Sequence, residues 1–304
     1  MSRLLPVLLV LGVACTSSSK ESAPTHSGAD SAPTDDTQPT DDTEPTDDSE
    51  PLTDDSEPPT EDEDAEWGDD GDIGPEHWGS LDEDYATCDE GLVQSPINLT
   101  EDLLVEGYDP LTVLWSSTAI RAYNSGHYIR YEVDEGSSYV ISNEGRFDLD
   151  QFHFHSLSEH TVDGQHAAME AHFVHYLDTN PDRALVVTFL MDPTGESDTD
   201  LFGMEGALKF HQAVALPESE TPTDLGGTID LNELGELFGR AHLSYEGSLT
   251  TPACTEGVRF YISGAILAPE IADIEAFTAV YDHNYRPTQP LNGRSVTAHS
   301  GEPG

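Results

Sequence analysis

Gln151-Phe152-His153-Phe154-His155 alternates aromatic and polar side chains. In an extended chain residues i and i+2 share a face, so His153 and His155 project one way while Phe152 and Phe154 project the other. Two aromatics turned to a core and two imidazoles turned to a cleft are what a strand-borne metal site requires. The imidazoles stand roughly 6.6 Å apart along the strand, close enough to tilt onto one ion. A third ligand has to come from a neighbouring strand.

Residues 168–175 (MEAHFVH after Ala168) supply it. Glu170 and His172 share one face of this run, and Ala171, Phe173 and His175 the other. Laid antiparallel about 4.8 Å from the first strand, this run lets His172 complete a facial triad with His153 and His155. Glu170 is then placed to accept the second ring N–H of His172, and Gln151 is similarly placed beside His153. Such outer acceptors fix the tautomer and raise ligand basicity. Three neutral imidazoles leave the charge of Zn2+ uncompensated and a fourth position open, the pattern of a catalytic zinc. The chain has three cysteines, too few and too scattered for a thiolate cluster.

The rest of the chain divides by composition. Arg3 precedes an apolar run from Leu4 to Ala14, too short to span a bilayer and ordered like an export signal. Residues 1–15 resemble a bacterial lipoprotein signal ending at Cys15, the residue that would carry lipid; ordinary signal cleavage and release is the alternative. Residues 16–66 repeat a Pro-Thr-Asp-Asp pattern and bury almost nothing, so they read as a disordered Pro/Thr/Asp/Glu-rich tether. Between Glu21 and Glu66 there are 18 acidic residues and no Lys or Arg. With 11 Lys+Arg against 60 Asp+Glu and a formal charge of −49, the chain lacks the basic face that nucleic-acid binding needs. Membrane attachment is expected only through a lipid anchor at Cys15.

Globular patterning runs over residues 67–298, with 299–304 as a C-terminal tail. Strand-like runs fall at 112–115, 127–133, 139–141, 147–154, 167–176, 185–191 and 258–266, separated by Gly- and Asn/Asp-rich turns. Helical periodicity is confined to 201–215 and 231–238, with Asp200 and Asp230 as N-cap candidates. A mainly β (α+β) domain with a few short peripheral helices is the expectation.

Eight collinear segments resemble the α-class carbonic anhydrases of bacteria: residues 74–79 (GPEHWG), 94–97 (QSPI), 124–127 (NSGH), 151–155 (QFHFH), 158–164 (SEHTVDG), 170–175 (EAHFVH), 247–252 (GSLTTP) and 284–291 (NYRPTQPL). The resemblance implies a large, twisted, mostly antiparallel sheet of about ten strands. It implies an exported zinc lyase that reversibly hydrates carbon dioxide to bicarbonate and a proton by a zinc-bound hydroxide. Zn2+ would be held by His153, His155 and His172. Thr250 would accept from the hydroxide and donate to Glu159, which when ionised can only accept. Thr251 would contact anions, and Val174, Leu185 and Leu249 would wall the pocket where carbon dioxide rests.

By the same resemblance His127 is the proton shuttle, its imidazole suited to transfer near neutral pH. Tyr128 stands where a small side chain is usual, Arg130 where a neutral amide is common, and Asp69 where a cleft tyrosine is usual. A cation at Arg130 would disfavour the His127 imidazolium. Asn284 would offer its main-chain carbonyl to His155, and Arg286 and Arg294 would be structural ion-pair residues. Cys88 and Cys254 would form a disulfide, as in bacterial relatives. His242 reads as a surface or loop residue. The implied location is periplasmic or cell-surface, or secreted if Cys15 is not lipidated. The rival reading is a catalytically silent carbonic-anhydrase-like binding domain displayed at the surface.

Overall fold

Alternation does set the architecture. The computed structural model describes residues 65–193, 204–239 and 241–300. The expected signal, Cys15, the tether as far as residue 64 and Asp200 lie outside the described residues. Three long neighbouring strands, Gly145–His155, Met169–Leu177 and Asn180–Met191, form the centre of a 12-stranded sheet. Outward on one side follow Ile129–Glu132, Ser117–Asn124 and Thr223–Asp230; on the other follow Glu256–Ser263, Ala241–Ser248, Val296–Ser300 and Leu104–Glu106. These make a path of ten. Thr112–Leu114 and Tyr139–Ser142 branch from the far half of Gly145–His155 and bring the sheet to 12 strands.

Most neighbours are antiparallel, but Asn180–Met191 runs parallel to Glu256–Ser263, and Val296–Ser300 parallel to Leu104–Glu106. Val296–Ser300 carries the ordered domain past residue 298, where the tail was expected to begin. A small sheet of Asn98–Leu99, Thr161–Val162 and Gln165–His166 stands apart.

The two faces of the central strands bury different things. Phe152, Phe154, Phe173, Leu185, Val187 and Phe189 pack on the far face against residues of the short helices Met204–Leu208, Phe210–Val214, Asn232–Phe238 and Ile271–Thr278. Val174, Val186, Leu190, Phe260 and Ile262 form a second apolar cluster on the cleft face. The helix expected over 201–215 is two short ones, because Lys209 takes a positive φ of 54° between them. A lysine in that left-handed region interrupts the hydrogen-bond ladder. The N-cap of the helix Asn232–Phe238 is Leu231 rather than the expected Asp230, which stands one residue earlier and accepts from Asn232 N at 3.1 Å.

Candidate metal centre

Pairing between Gly145–His155 and Met169–Leu177 puts His172 directly opposite His153, Glu170 opposite His155 and Val174 opposite Gln151. All six side chains therefore lie on the cleft face. One nitrogen of each imidazole is taken: His153 Nδ1 by Gln151 Oε1 at 2.9 Å, His155 Nδ1 by the Asn284 carbonyl at 2.7 Å, and His172 Nε2 by Glu170 Oε1 at 2.6 Å. The remaining nitrogens turn toward one another, with ligand atoms of the three rings all within 4.8 Å. His155 Nε2 is buried with no hydrogen-bond partner.

Burial, then the neighbouring His155, His172 and Arg130, hold the His153 pKa well below its ordinary value, so the ring is neutral and its lone pair free. Three such nitrogens fit Zn2+, which takes imidazole readily. A second grouping, His160, Glu170 and His172, also brings ligand atoms together. There the donors and acceptors satisfy each other: His160 Nδ1 lies 2.7 Å from Glu170 Oε1, and His160 Nε2 lies 2.6 Å from the Tyr245 hydroxyl. Burial raises the Glu170 pKa, but His160 and His172 outweigh it and keep the carboxyl well below its usual range. This chain of groups stands behind His172 and fixes it.

Glu159 is buried beside the triad. Its Oε1 accepts from Arg286 N at 3.0 Å, while Oε2 lies 3.7 Å from His155 Nε2 and 3.8 Å from His172 Nδ1 without a hydrogen bond. The expected Thr250–Glu159 hydrogen bond is not formed here. Thr250 itself is buried on the loop after Ala241–Ser248. That loop is tied to residues 94–97: Ser95 N donates to Ser248 Oγ at 2.9 Å and Ser248 N donates to Ser95 Oγ at 3.1 Å. Gly247 is required for this approach, since a Cβ there would meet Ser95 Oγ at 2.0 Å. Cys254 N donates to Thr251 O at 2.8 Å, and Cys88 and Cys254 are disulfide-bonded with Cα atoms 5.0 Å apart.

Val174 lies in the cleft-face cluster, and Leu249 packs against it. Leu185 does neither. It pairs with His175, packs in the far-face core and is fully buried there. The residue opposite Val174 is Val186. A shift of one residue moves a strand side chain to the other face, so Val186 takes the place expected for Leu185.

His127 is half-buried, its ring stacked on Trp67 with centroids 3.7 Å apart and planes 8° apart. Burial lowers its pKa, and Glu218 works against that. Arg130 does not contribute; its charge acts instead on His153. Asp69 is raised to about 7 by burial, opposed by His155 and reinforced by Glu159 and Asp70. Arg286 and Arg294 are structural but make no ion pairs among the described residues. Arg286 donates to Gln94 Oε1, Ser95 O and Cys88 O, each at 2.8 Å. Arg294 reaches the carbonyls of Glu246 and Gln94, also at 2.8 Å. His242 is buried within Ala241–Ser248 rather than exposed. Trp67, Tyr128, Val186 and the side chain of Asn284 are contributors that sequence reasoning did not assign.

A buried cluster of three imidazoles on a 12-stranded sheet defines the class: a mainly β protein built around a candidate mononuclear zinc centre. Comparison narrows it. Residues 73–300 match the family model for eukaryotic-type carbonic anhydrase, and the chain belongs to that family. The carbonic anhydrase of Pectobacterium atrosepticum is 34% identical over 237 residues, covering 77% of this chain and 91% of that protein. That of Klebsiella pneumoniae is 35% identical over 234 residues, covering 76% and 90%. Among solved structures, the α-carbonic anhydrase from Thermovibrio ammonificans in complex with the inhibitor sulfanilamide is similar with a TM-score of 0.66. It is 36% identical, covering 77% of this chain and 99% of that one.

Proposed function

We infer that this chain catalyses the reversible hydration of carbon dioxide to bicarbonate and a proton, with Zn2+ held by His153, His155 and His172. The observation that carries the reading is the convergence of three buried ring nitrogens whose opposite nitrogens are already engaged. When bound, zinc supplies Lewis acidity that brings the pKa of a water molecule down to about 7, a value known from carbonic anhydrase itself.

The remaining work falls to side chains. Glu159 keeps one oxygen free of hydrogen bonds, so Thr250 can donate to it and accept from the reacting water, aiming a lone pair at the substrate carbon. Val174, Val186 and Leu249 form an apolar wall suited to a nonpolar gas. Thr251 contacts the anionic product. Gln151, Glu170 and Asn284 hold the imidazoles in ligand-ready tautomers. His127, at the rim, takes the proton released in each turnover and passes it to solvent.

Metal analysis and stopped-flow carbon dioxide hydration test this on purified protein and on His172→Ala. The expected result is stoichiometric zinc and a rate that both vanish in the variant. A rate no higher than the variant's would leave a surface-displayed binding domain as the better account.

We also propose that the domain is exported and held at a membrane by lipid on Cys15, with residues 16–66 as spacer. The disulfide supports an oxidising compartment, and the charge-then-apolar leader ending in Cys15 supports the anchor. Cys15→Ser should move the protein from the membrane fraction to the soluble one; an unchanged distribution contradicts the anchor.

A further inference from the structure

The three imidazoles are not held alike. His155 is fixed by a main-chain carbonyl and His172 by a buried carboxylate. His153 has only the neutral amide oxygen of Gln151, two residues back on its own strand. A hydrogen bond to an ionised acceptor is roughly twice as strong as a neutral pair, and a side-chain amide can rotate where a main-chain carbonyl cannot. Of the three rings, His153 is the least constrained by hydrogen bonding.

A stacked phenol makes up the difference. Tyr128 lies on the face of His153 with centroids 4.6 Å apart and planes 26° apart. The rings of His155 and His172 meet His153 at steep angles, 73° and 77°. Tyr128 is itself anchored. Its N–H donates to Ser125 Oγ at 3.1 Å, and its carbonyl accepts from Ser125 N at 3.1 Å. The next residue, Ile129, is fully buried. Arg130, the cross-strand partner of His153, acts on the phenol hydroxyl and is held by Asp150 at 2.8 Å and Glu132 at 3.1 Å. Successive residues here face opposite ways, His127 onto Trp67 and Tyr128 onto His153.

We propose that Tyr128 is a positioning residue of the metal centre, its ring holding the His153 imidazole in the plane that presents Nε2 to the other two histidines. This rests on reading the triad as a zinc site. The test is zinc affinity of the full chain, by chelator competition, for wild type, Tyr128→Phe and Tyr128→Leu. Tyr128→Phe keeps the stacked ring and should hold zinc as wild type does. Tyr128→Leu should bind zinc about two- to tenfold more weakly, the range expected for losing one aromatic contact.

Imidazole nitrogen NMR of the zinc-loaded proteins supplies a readout that general loosening would not reproduce. Tyr128→Leu should shift and broaden the His153 signals while leaving those of His155 and His172 in place. Should Tyr128→Leu fail to fold, Tyr128→Met, apolar but without a flat ring, carries the same comparison. Wild-type affinity together with unchanged His153 signals in the ring-less variant would overturn the role of Tyr128 alone. Failure of the wild type to take up zinc would overturn the reading of the triad, and the role of Tyr128 with it.

Discussion

Asn284 fastens both halves of the site through one side chain. Its Oδ1 accepts from Ser156 N at 2.8 Å, and its Nδ2 donates to the carbonyls of His127 at 3.1 Å and Phe154 at 3.2 Å, while its own carbonyl holds His155. The residue is buried, so Asn284→Ala strands a buried Ser156 N–H and deprives the His127 carbonyl of its donor. Each buried group left unpaired costs about 1–3 kcal/mol. The variant should unfold at clearly lower urea and bind zinc more weakly. Asn284→Asp keeps the acceptor for Ser156 N but sets an acceptor-only oxygen against the His127 and Phe154 carbonyls, so it should not restore stability; equal urea midpoints for wild type and Asn284→Ala would contradict this account. From sequence only the main-chain role of Asn284 was legible, because its side-chain partners are scattered over residues 127, 154 and 156. The three converging histidines were legible because they sit in two short alternating runs, where the two-residue period decides orientation. Leu185 was misplaced for the converse reason. Residues 185–191 are buried on both faces, and Thr188, which lies opposite His172 and shares the face of Val186, is the single polar residue on that stretch to mark which side chains meet the cleft.

At the scale of elements, the loop carrying Thr250 depends on parts distant in sequence. Cys88, on the short helix Thr87–Glu90, is joined to Cys254 across a separation of 166 residues. Bridges of this kind contribute about 2–4 kcal/mol. Reduction should lower the melting temperature by that measure and slow carbon dioxide hydration as Thr250 loosens. Zinc should remain, because its ligands sit on two central strands that the bridge does not touch. Melting, rate and zinc content before and after a thiol reductant, and in the Cys88→Ser/Cys254→Ser double variant, check the order of loss. Zinc leaving before the rate falls would reverse it. The central strands were readable from alternating or apolar runs. Ser117–Asn124 and Thr223–Asp230 were not, since the first buries small or polar Thr118, Ala122 and Asn124 beside Ile120 and the second carries Gly226 and Gly227, so neither shows a clear apolar alternation of its own.

Across the whole molecule, the two faces of the sheet respond to pH in different ways. On the cleft face, the Asp69 carboxyl, raised to about 7 chiefly by burial, stays protonated where the unfolded chain would ionise; its contribution to stability is lost as pH rises from 3.8 through 7. In the far-face core His175 works in the opposite direction. It is fully buried, with Nε2 accepting from Trp115 Nε1 at 3.1 Å and Nδ1 donating to the Leu185 carbonyl at 3.2 Å, so neither nitrogen can take a further proton without breaking a hydrogen bond. Burial, only partly offset by the carbonyls of Leu185 and Phe173, holds its pKa down to about 3 from 6.5. Between those values the unfolded chain binds a proton that the native one refuses, so stability is lost as pH falls through the window. His242, lowered to about 4 by burial, adds in the same sense. Comparison with a non-titrating variant isolates the His175 contribution, because the other groups cancel. His175→Asn should be less stable at pH 7 yet lose about 2 kcal/mol less than wild type on going from pH 7 to pH 5. Urea unfolding of both proteins at the two pH values measures it, and parallel losses would mean that His175 does not set the acid limb.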